Sequence, residues 1–382
     1  MSIPNDLDAA MTAWRRHLHA NPERSLHEKE TAGFVAARLA ELGVSHVTGV
    51  GGHGVVATLH RPGGARSIGL RADMDALPIE EATGAPWAST VKGVMHACGH
   101  DGHTAALLGA AALLQADPGW KGTIHLVFQP AEEGFGGARA MLADGLMQRF
   151  PMDRIFGWHN WPGLAAGTVQ VHPGPVMAGG ARLEITLDGQ AVHAAMPHLG
   201  RDPMLAAGHL LIALQSIVSR VVDPLDSAVV SITMIEGGTA WNQIPRRAAL
   251  RGTMRHHRAE VADAMEAEVR RIADGVGAAY GMSVTTEVRR GAAITANHEA
   301  EAALAFAAAL AIGQPARRDL PPSMAGEDFG WYLQEKPGAY AWIGNGPGGA
   351  GRELHDPGYD FNDAILPVAA RWLAETARRA LA

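Results

Sequence analysis

The chain has 382 residues, enough for two domains, with 47% hydrophobic residues and 46 glycines. That profile fits a soluble globular enzyme and excludes a disordered or fibrous chain. Its 32 basic and 39 acidic residues give a net charge of −7, and no Lys/Arg run marks a nucleic-acid-binding face.

Along the chain, Asp6 to Ala20 is expected to be a helix, with no apolar core of a signal peptide in the first twenty residues. Glu28 to Leu42 is a second helix, closed by Gly43. Gly54 to His60 and Ser67 to Arg71 are strands around the turn Pro62-Gly63-Gly64. Thr104 to Gln115 is a helix, Thr123 to Gln129 a buried strand, and Ile155 to His159 a short strand. This alternation implies an α/β sheet. From Arg182 the pattern changes. The strand Arg182 to Leu187, helix Pro203 to Val221, strands Ser227 to Ile235 and Arg247 to Arg255, helix Ala259 to Tyr280 and strand Ser283 to Arg290 follow in turn. That order is β-α-β-β-α-β, the order of a ferredoxin-like unit. The expectation is an inserted domain over 182–292 within a discontinuous domain of 1–181 and 293–382. Helix Glu299 to Leu310, strand Tyr340 to Gly344 and helix Leu366 to Leu381 complete the chain. No stretch approaches the apolar length of a membrane span, so the expected location is cytoplasmic.

The densest chemical cluster is His96-Ala97-Cys98-Gly99-His100-Asp101-Gly102-His103, which contains the only cysteine. A lone cysteine is ordinarily a small buried apolar residue, and it excludes an intrachain disulfide. Here three histidines and an aspartate surround it. The two glycines predict a loop that enters the helix near Thr104. In an extended loop, positions two apart point the same way, so Cys98 and His100 would face one spot. Thiolate and imidazole together suit Zn, Ni, Co, Mn or Fe as divalent ions. A polar loop capping a helix is the plainer alternative.

A second cluster, Glu132-Glu133, follows the buried strand that ends at Gln129. Adjacent carboxylates there are costly unless a cation sits nearby. Their side chains diverge, so one can bind a metal while the other faces a water. An isolated pair of glutamates would ordinarily be a solvated turn; the strand-end position in an α/β sheet raises the functional reading. His159 and His355 sit beside similar chain turns. Asp73 and Asp75 end another strand, where they would either orient ligands from behind or cap a turn.

These segments, in order, resemble the M20 metallopeptidase family. LRADMDALPIEE, HACGHDGHTAALLGAA, FQPAEEG, GWHNWP, MAGEDF and LHDPGYDFND are similar to motifs of its amidohydrolase branch, which includes hippurate hydrolases and auxin-conjugate hydrolases. The resemblance runs from about Trp14 to Trp372. It implies a zinc-peptidase-like catalytic domain, with a mixed sheet between helices, plus the inserted ferredoxin-like domain as a lid. It implies two divalent metal ions (Mn, Zn, Ni or Co) held by Cys98, His100, Glu133, His159 and His355, with Cys98 bridging them. Glu132 would be the general base. In the insertion, the resemblance makes His193 a residue that reaches a neighbouring protomer's active site, and gives Asn242 and Arg255 contacts to the substrate. The activity implied is hydrolysis of an N-acyl amino acid to a carboxylic acid and a free amino acid, in a homodimer or homotetramer without nucleic-acid or membrane partners. The alternatives are a dipeptidase or aminopeptidase with the same centre, a non-catalytic binding protein, and a hydrolase with Cys98 as nucleophile.

Overall fold

The computed structural model describes residues 6–382; Met1–Asn5, part of the segment used to judge a signal peptide, lie outside them. Asp6 accepts from the Ala9 amide and so starts the Leu7–Ala20 helix. The Lys29–Glu41 helix follows, ahead of a strand at Ser45–Val50 that the sequence does not announce. Its mostly exposed, polar pattern carries little apolar alternation.

The chain divides into two compact units. The first comprises Met1–Val176, Thr295–Pro321 and Asp328–Ala382. Its mixed sheet runs, edge to edge, through Ser45–Val50, Gly54–Arg61, Gly122–Gln129, Ser67–Asp73, Arg154–Pro162, Gly338–Gly346, Val169–Gln170 and Ala316–Arg317. Four adjacent strands of this sheet, Gly122–Gln129, Ser67–Asp73, Arg154–Pro162 and Gly338–Gly346, run parallel to one another. Their carboxyl ends therefore open on one side, where α/β sheets place their ligands. The helices His100–Ala116, Glu299–Ala311 and Leu366–Leu381 add Leu107, Ala305 and Trp372 to a core with Leu70, Leu126 and Phe156. Small side chains let these helices approach closely: Gly109 lies against Met11 and Ala370, where a β-carbon would collide.

The second unit comprises Met177–Ile294 and takes in Pro322–Glu327 as well, a segment that the sequence reading leaves with the first. Gly174–Asp188, Ala228–Gly237, Arg247–His256 and Ser283–Arg290 form an antiparallel sheet, with Ala228–Gly237 at one edge. The helices Pro203–Leu214 and Ala259–Tyr280 contribute Leu210, Leu214, Met265 and Val269 to its core. The expected single helix over 203–221 is instead two pieces, an α-helix to Leu214 and a π turn at Ile217–Val221. Contrary to the sequence expectation that no stretch approaches a membrane span, Pro203–Val221 is by length and composition apolar enough to cross one. Its Ala206, Leu210, Leu214 and Ile217 are nevertheless buried in this unit's core, while Leu205 and Ile212 stand exposed.

Candidate metal centre

Gly99 takes φ 93° and caps the helix that begins at His100. This corrects the sequence expectation: His100 to His103 form the first helical turn, not an extended loop. The glycines are required by close packing rather than by helix breaking. A β-carbon on Gly99 would meet Asn160 and Tyr359, and one on Gly102 would enter the Phe361 ring. Cys98 and His100 still face one spot, because the left-handed glycine turns the chain between them.

Cys98, His100 and His159 bring their ligand atoms within 4.8 Å of one another. So do Cys98, Glu133 and His355, and so do His100, Glu132 and Glu133. The Cys98 Sγ lies 3.4 Å from His159 Nε2, and the His355 Nε2 lies 3.3 Å from Glu133 Oε1. All five residues expected as ligands therefore gather around one centre, with Glu132 beside them. His103 joins Asp73 and His100 in a further group, but its donors and acceptors are used. His103 Nδ1 donates to Asp73 Oδ1 at 2.5 Å, and its Nε2 accepts from the Asn160 amide at 3.1 Å.

The centre fits a cation. His100 Nδ1 donates to Asp75, 2.9 Å from its carbonyl and 3.2 Å from Oδ1, so Nε2 presents its lone pair. That Nε2 and Glu133 Oε1 are both buried and accept no hydrogen bond, a costly arrangement that a coordinated ion resolves. His159 Nδ1 donates to the Asn160 carbonyl at 2.6 Å, which likewise leaves Nε2 as a ligand atom. The local field favours positive charge. Burial alone would lower the His100 pKa, yet Asp73, Asp75 and Glu133 raise it to about 10. Burial first, then Glu133 and Glu132, push the Cys98 thiol well up, so the thiolate needs a cation next to it. Burial, joined by His103, holds His159 neutral, the form that ligates.

A second layer holds these groups. Against its burial, Arg71, His100 and His103 keep the Asp73 carboxyl well below the usual carboxylate range. Both carboxylates point at histidines: Asp75 bonds His100, and Asp73 bonds His103. Asp328 lies within MAGEDF, a segment to which sequence reading gave no role. Its amide donates to Glu132 Oε1 at 3.3 Å, and its Oδ2 accepts from the Ala138 amide at 2.9 Å. Glu28 is a further residue that sequence reading missed. It is buried, its Oε1 accepts from the Ala131 amide at 2.7 Å, and burial pushes its pKa up to about 7. No spacing signal could have found it, because it lies 103 positions from its partner.

His193, Asn242 and Arg255 belong to the second unit and are not among these converging donors. His193 is exposed on a two-stranded ribbon, opposite Gln243, and the Ala194 amide donates to the Asn242 carbonyl at 2.9 Å. The ribbon thus places His193 and Asn242 side by side. Arg255 lies on the Arg247–His256 strand, its Nη1 donating to the Met254 carbonyl, and burial lowers its pKa.

The model of the peptidase family M20/M25/M40 matches residues 69–379. The chain belongs to this family. Among its relatives, the N-acetyl-L-cysteine deacetylase of Bacillus subtilis is 40% identical over 98% of this chain and 89% of its own length. The hippurate hydrolase of Campylobacter jejuni is 39% identical over 98% of each. Both lie in the amidohydrolase branch that the motifs resemble. Among solved M20 structures, the YXEP protein of Bacillus subtilis, a dinuclear metal binding peptidase, is 36% identical and superposes with a TM-score of 0.86 over 98% of each chain.

Proposed function

We propose that this M20 protein is a binuclear metal-dependent amidohydrolase that cleaves the amide bond of N-acyl amino acids. The observation that carries the reading is the convergence of Cys98, His100, Glu133, His159 and His355, with Glu132 alongside. These five would hold the two ions, and Cys98 belongs to both the group with His100 and His159 and the group with Glu133 and His355. When bound, two divalent ions polarise the amide carbonyl and bring the pKa of the attacking water toward neutrality. Glu132, held by the Asp328 amide, takes the proton of that water and passes it to the departing amine. Arg255 forms a charge-assisted bond to the carboxylate of the amino acid, and Asn242 contacts the same substrate. The relatives named for acetylcysteine deacetylation and hippurate hydrolysis support this substrate class.

The second unit serves as a ferredoxin-like lid and as the dimer contact. Its edge strand Ala228–Gly237 leaves Met234 and Ile235 exposed, and the Pro203–Leu214 helix leaves Ile212 70% exposed. An unpaired edge with apolar side chains is a surface for a two-fold partner. In that dimer the partner's His193 donates to the carbonyl oxygen as charge builds there.

Hydrolysis of acetyl, benzoyl and indole-acetyl amino acids by protein loaded with Mn, Zn, Ni or Co tests the reading. Chelated protein is expected to be inactive and metal-loaded protein active. Cleavage of free dipeptides but of no N-acyl amino acid would favour the peptidase alternative. A Cys98 nucleophile is disfavoured, because burial and two carboxylates hold that thiol protonated in the absence of a cation.

A further inference from the structure

Among the described residues only three non-glycine positions have positive φ: Leu26 at 71°, Ala131 at 55° and His355 at 67°. Such backbone persists only where its surroundings over-determine it, and it gathers at functional sites. His355 is one of the metal-cluster residues. Of the other two, Ala131 donates its amide to Glu28 Oε1, and Leu26 stands two residues before that glutamate.

Ala131 directly precedes Glu132 and Glu133, and its conformation sets where both carboxylates point. Its amide is directed into the protein, so it needs a buried acceptor, and Glu28 supplies it. Glu28 is fully buried, and its other oxygen has no hydrogen-bond partner. A carboxyl buried with one oxygen left without a partner is a poor stabilising device. It is understandable if the position of the Ala131 amide is what matters.

The same short segment reaches the far side of Glu132. Ser25 Oγ donates to Asp75 Oδ2 at 2.6 Å, and that oxygen also accepts the Glu133 amide at 3.0 Å. The segment is itself anchored. The Glu23 carbonyl accepts the Ala76 amide, and the Glu23 carboxylate accepts both the amide and the hydroxyl of Thr31. The amides on both flanks of Glu132 are thus pinned from Ser25–Glu28, one directly and one through Asp75.

We propose that Glu28, assisted by Ser25, is a positioning residue that fixes the Ala131–Glu133 turn, and through it the general base and a metal ligand. The proposal rests on the amidohydrolase reading for the roles of Glu132 and Glu133. Two substitutions separate its parts. Glu28→Gln keeps an oxygen acceptor for the Ala131 amide, whereas Glu28→Leu fills similar space without one.

The experiment measures metal retention against a competing chelator, kcat and KM on an N-acyl amino acid, and thermal midpoint, for wild type and both variants. Glu28→Leu is expected to lose about ten- to a hundredfold in metal affinity and in kcat, the usual consequence of removing a group behind a metal ligand. Its KM is expected to be unchanged, and Glu28→Gln to stay close to wild type in every readout. Wild-type metal retention and kcat in folded Glu28→Leu would overturn the proposal. So would a Glu28→Gln protein as impaired as Glu28→Leu, since the acceptor would then not be what counts. If Glu28→Leu fails to fold, Ser25→Ala carries the test: weakened metal retention supports the clamp, and unchanged retention overturns it. The chelator competition needs no turnover, so it decides this proposal even if the amidase reading fails.

Discussion

Asp75→Asn probes the layer behind the ligands, and the hydrogen-bond directions fix what should happen. Asp75 is buried, and three donors point at its carboxylate: His100 Nδ1 at Oδ1, Ser25 Oγ and the Glu133 amide at Oδ2. An asparagine offers one oxygen and one NH2 group. If the NH2 faces His100, two donors oppose each other at Nδ1, whose proton is then held by the Asp75 carbonyl alone, and the ring is pushed away from the orientation that aims Nε2 at the centre. If it faces the other way, Ser25 can rotate its hydroxyl but the Glu133 amide cannot reverse, and that N–H is left opposed. Either outcome disturbs a metal ligand. The expected loss in metal affinity is about ten- to a hundredfold, or roughly 1.4–2.8 kcal/mol. Competition with a fluorescent zinc chelator measures it directly, alongside circular dichroism to show that the fold is kept. A folded Asp75→Asn protein that holds metal as tightly as wild type would refute the reasoning.

Other consequences can be checked in the same way. Glu132→Gln should keep its metal and lose about 10²–10⁴ in kcat; near-normal turnover in the loaded variant would remove Glu132 as the base. His125 is buried, accepts from Thr58 Oγ1 at 3.0 Å and donates to the Pro151 carbonyl at 3.2 Å, and burial lowers its pKa to about 4. Its neutral form is therefore the folded form. Between about 6.5 and about 4 the unfolded chain binds the extra proton, so stability complete above 6.5 falls by up to about 3 kcal/mol across that window. Urea denaturation at both ends of that range should show a smaller difference for His125→Gln; an unaltered pH dependence would contradict it. For the lid, an inactive His193→Ala protein mixed with an inactive Glu132→Gln protein should regain activity once subunits exchange. Exchange without recovery would show that His193 does not act across the dimer.

Where chemistry and chain position coincide, the site was legible in the sequence. Cys98, His100 and the paired Glu132 and Glu133 lie within short runs, and parallel strands that end at Asp73, Gln129 and Pro162 bring those runs together. The regular helices were equally legible, because Ala259–Tyr280 and Leu366–Leu381 have amphipathic periodicity and clear ends. The start of the His100 helix was not, since Gly99 and Gly102 read as breakers until the side chains of Asn160, Tyr359 and Phe361 are known to fill the space beside them. Glu28, Ser25 and Asp328 were illegible for another reason. Each acts through a backbone amide far away in the chain or through another carboxylate, and such contacts leave no local pattern. The divided Pro203–Val221 segment was misread as one helix because no glycine or proline marks the break at Gln215-Ser216, and Leu210, Leu214 and Ile217 keep helical spacing across it.

The central claim is that five side chains, together with Glu132 as base, form a two-metal site. Crystals of the protein loaded with manganese or zinc, with data collected at the absorption edge of the metal, test it most directly. The account predicts two anomalous peaks per chain, ligated by Cys98, His100, Glu133, His159 and His355, with the Cys98 sulfur between them. A single peak, no peak, or any of the five turned away from the metal in the loaded protein would contradict it.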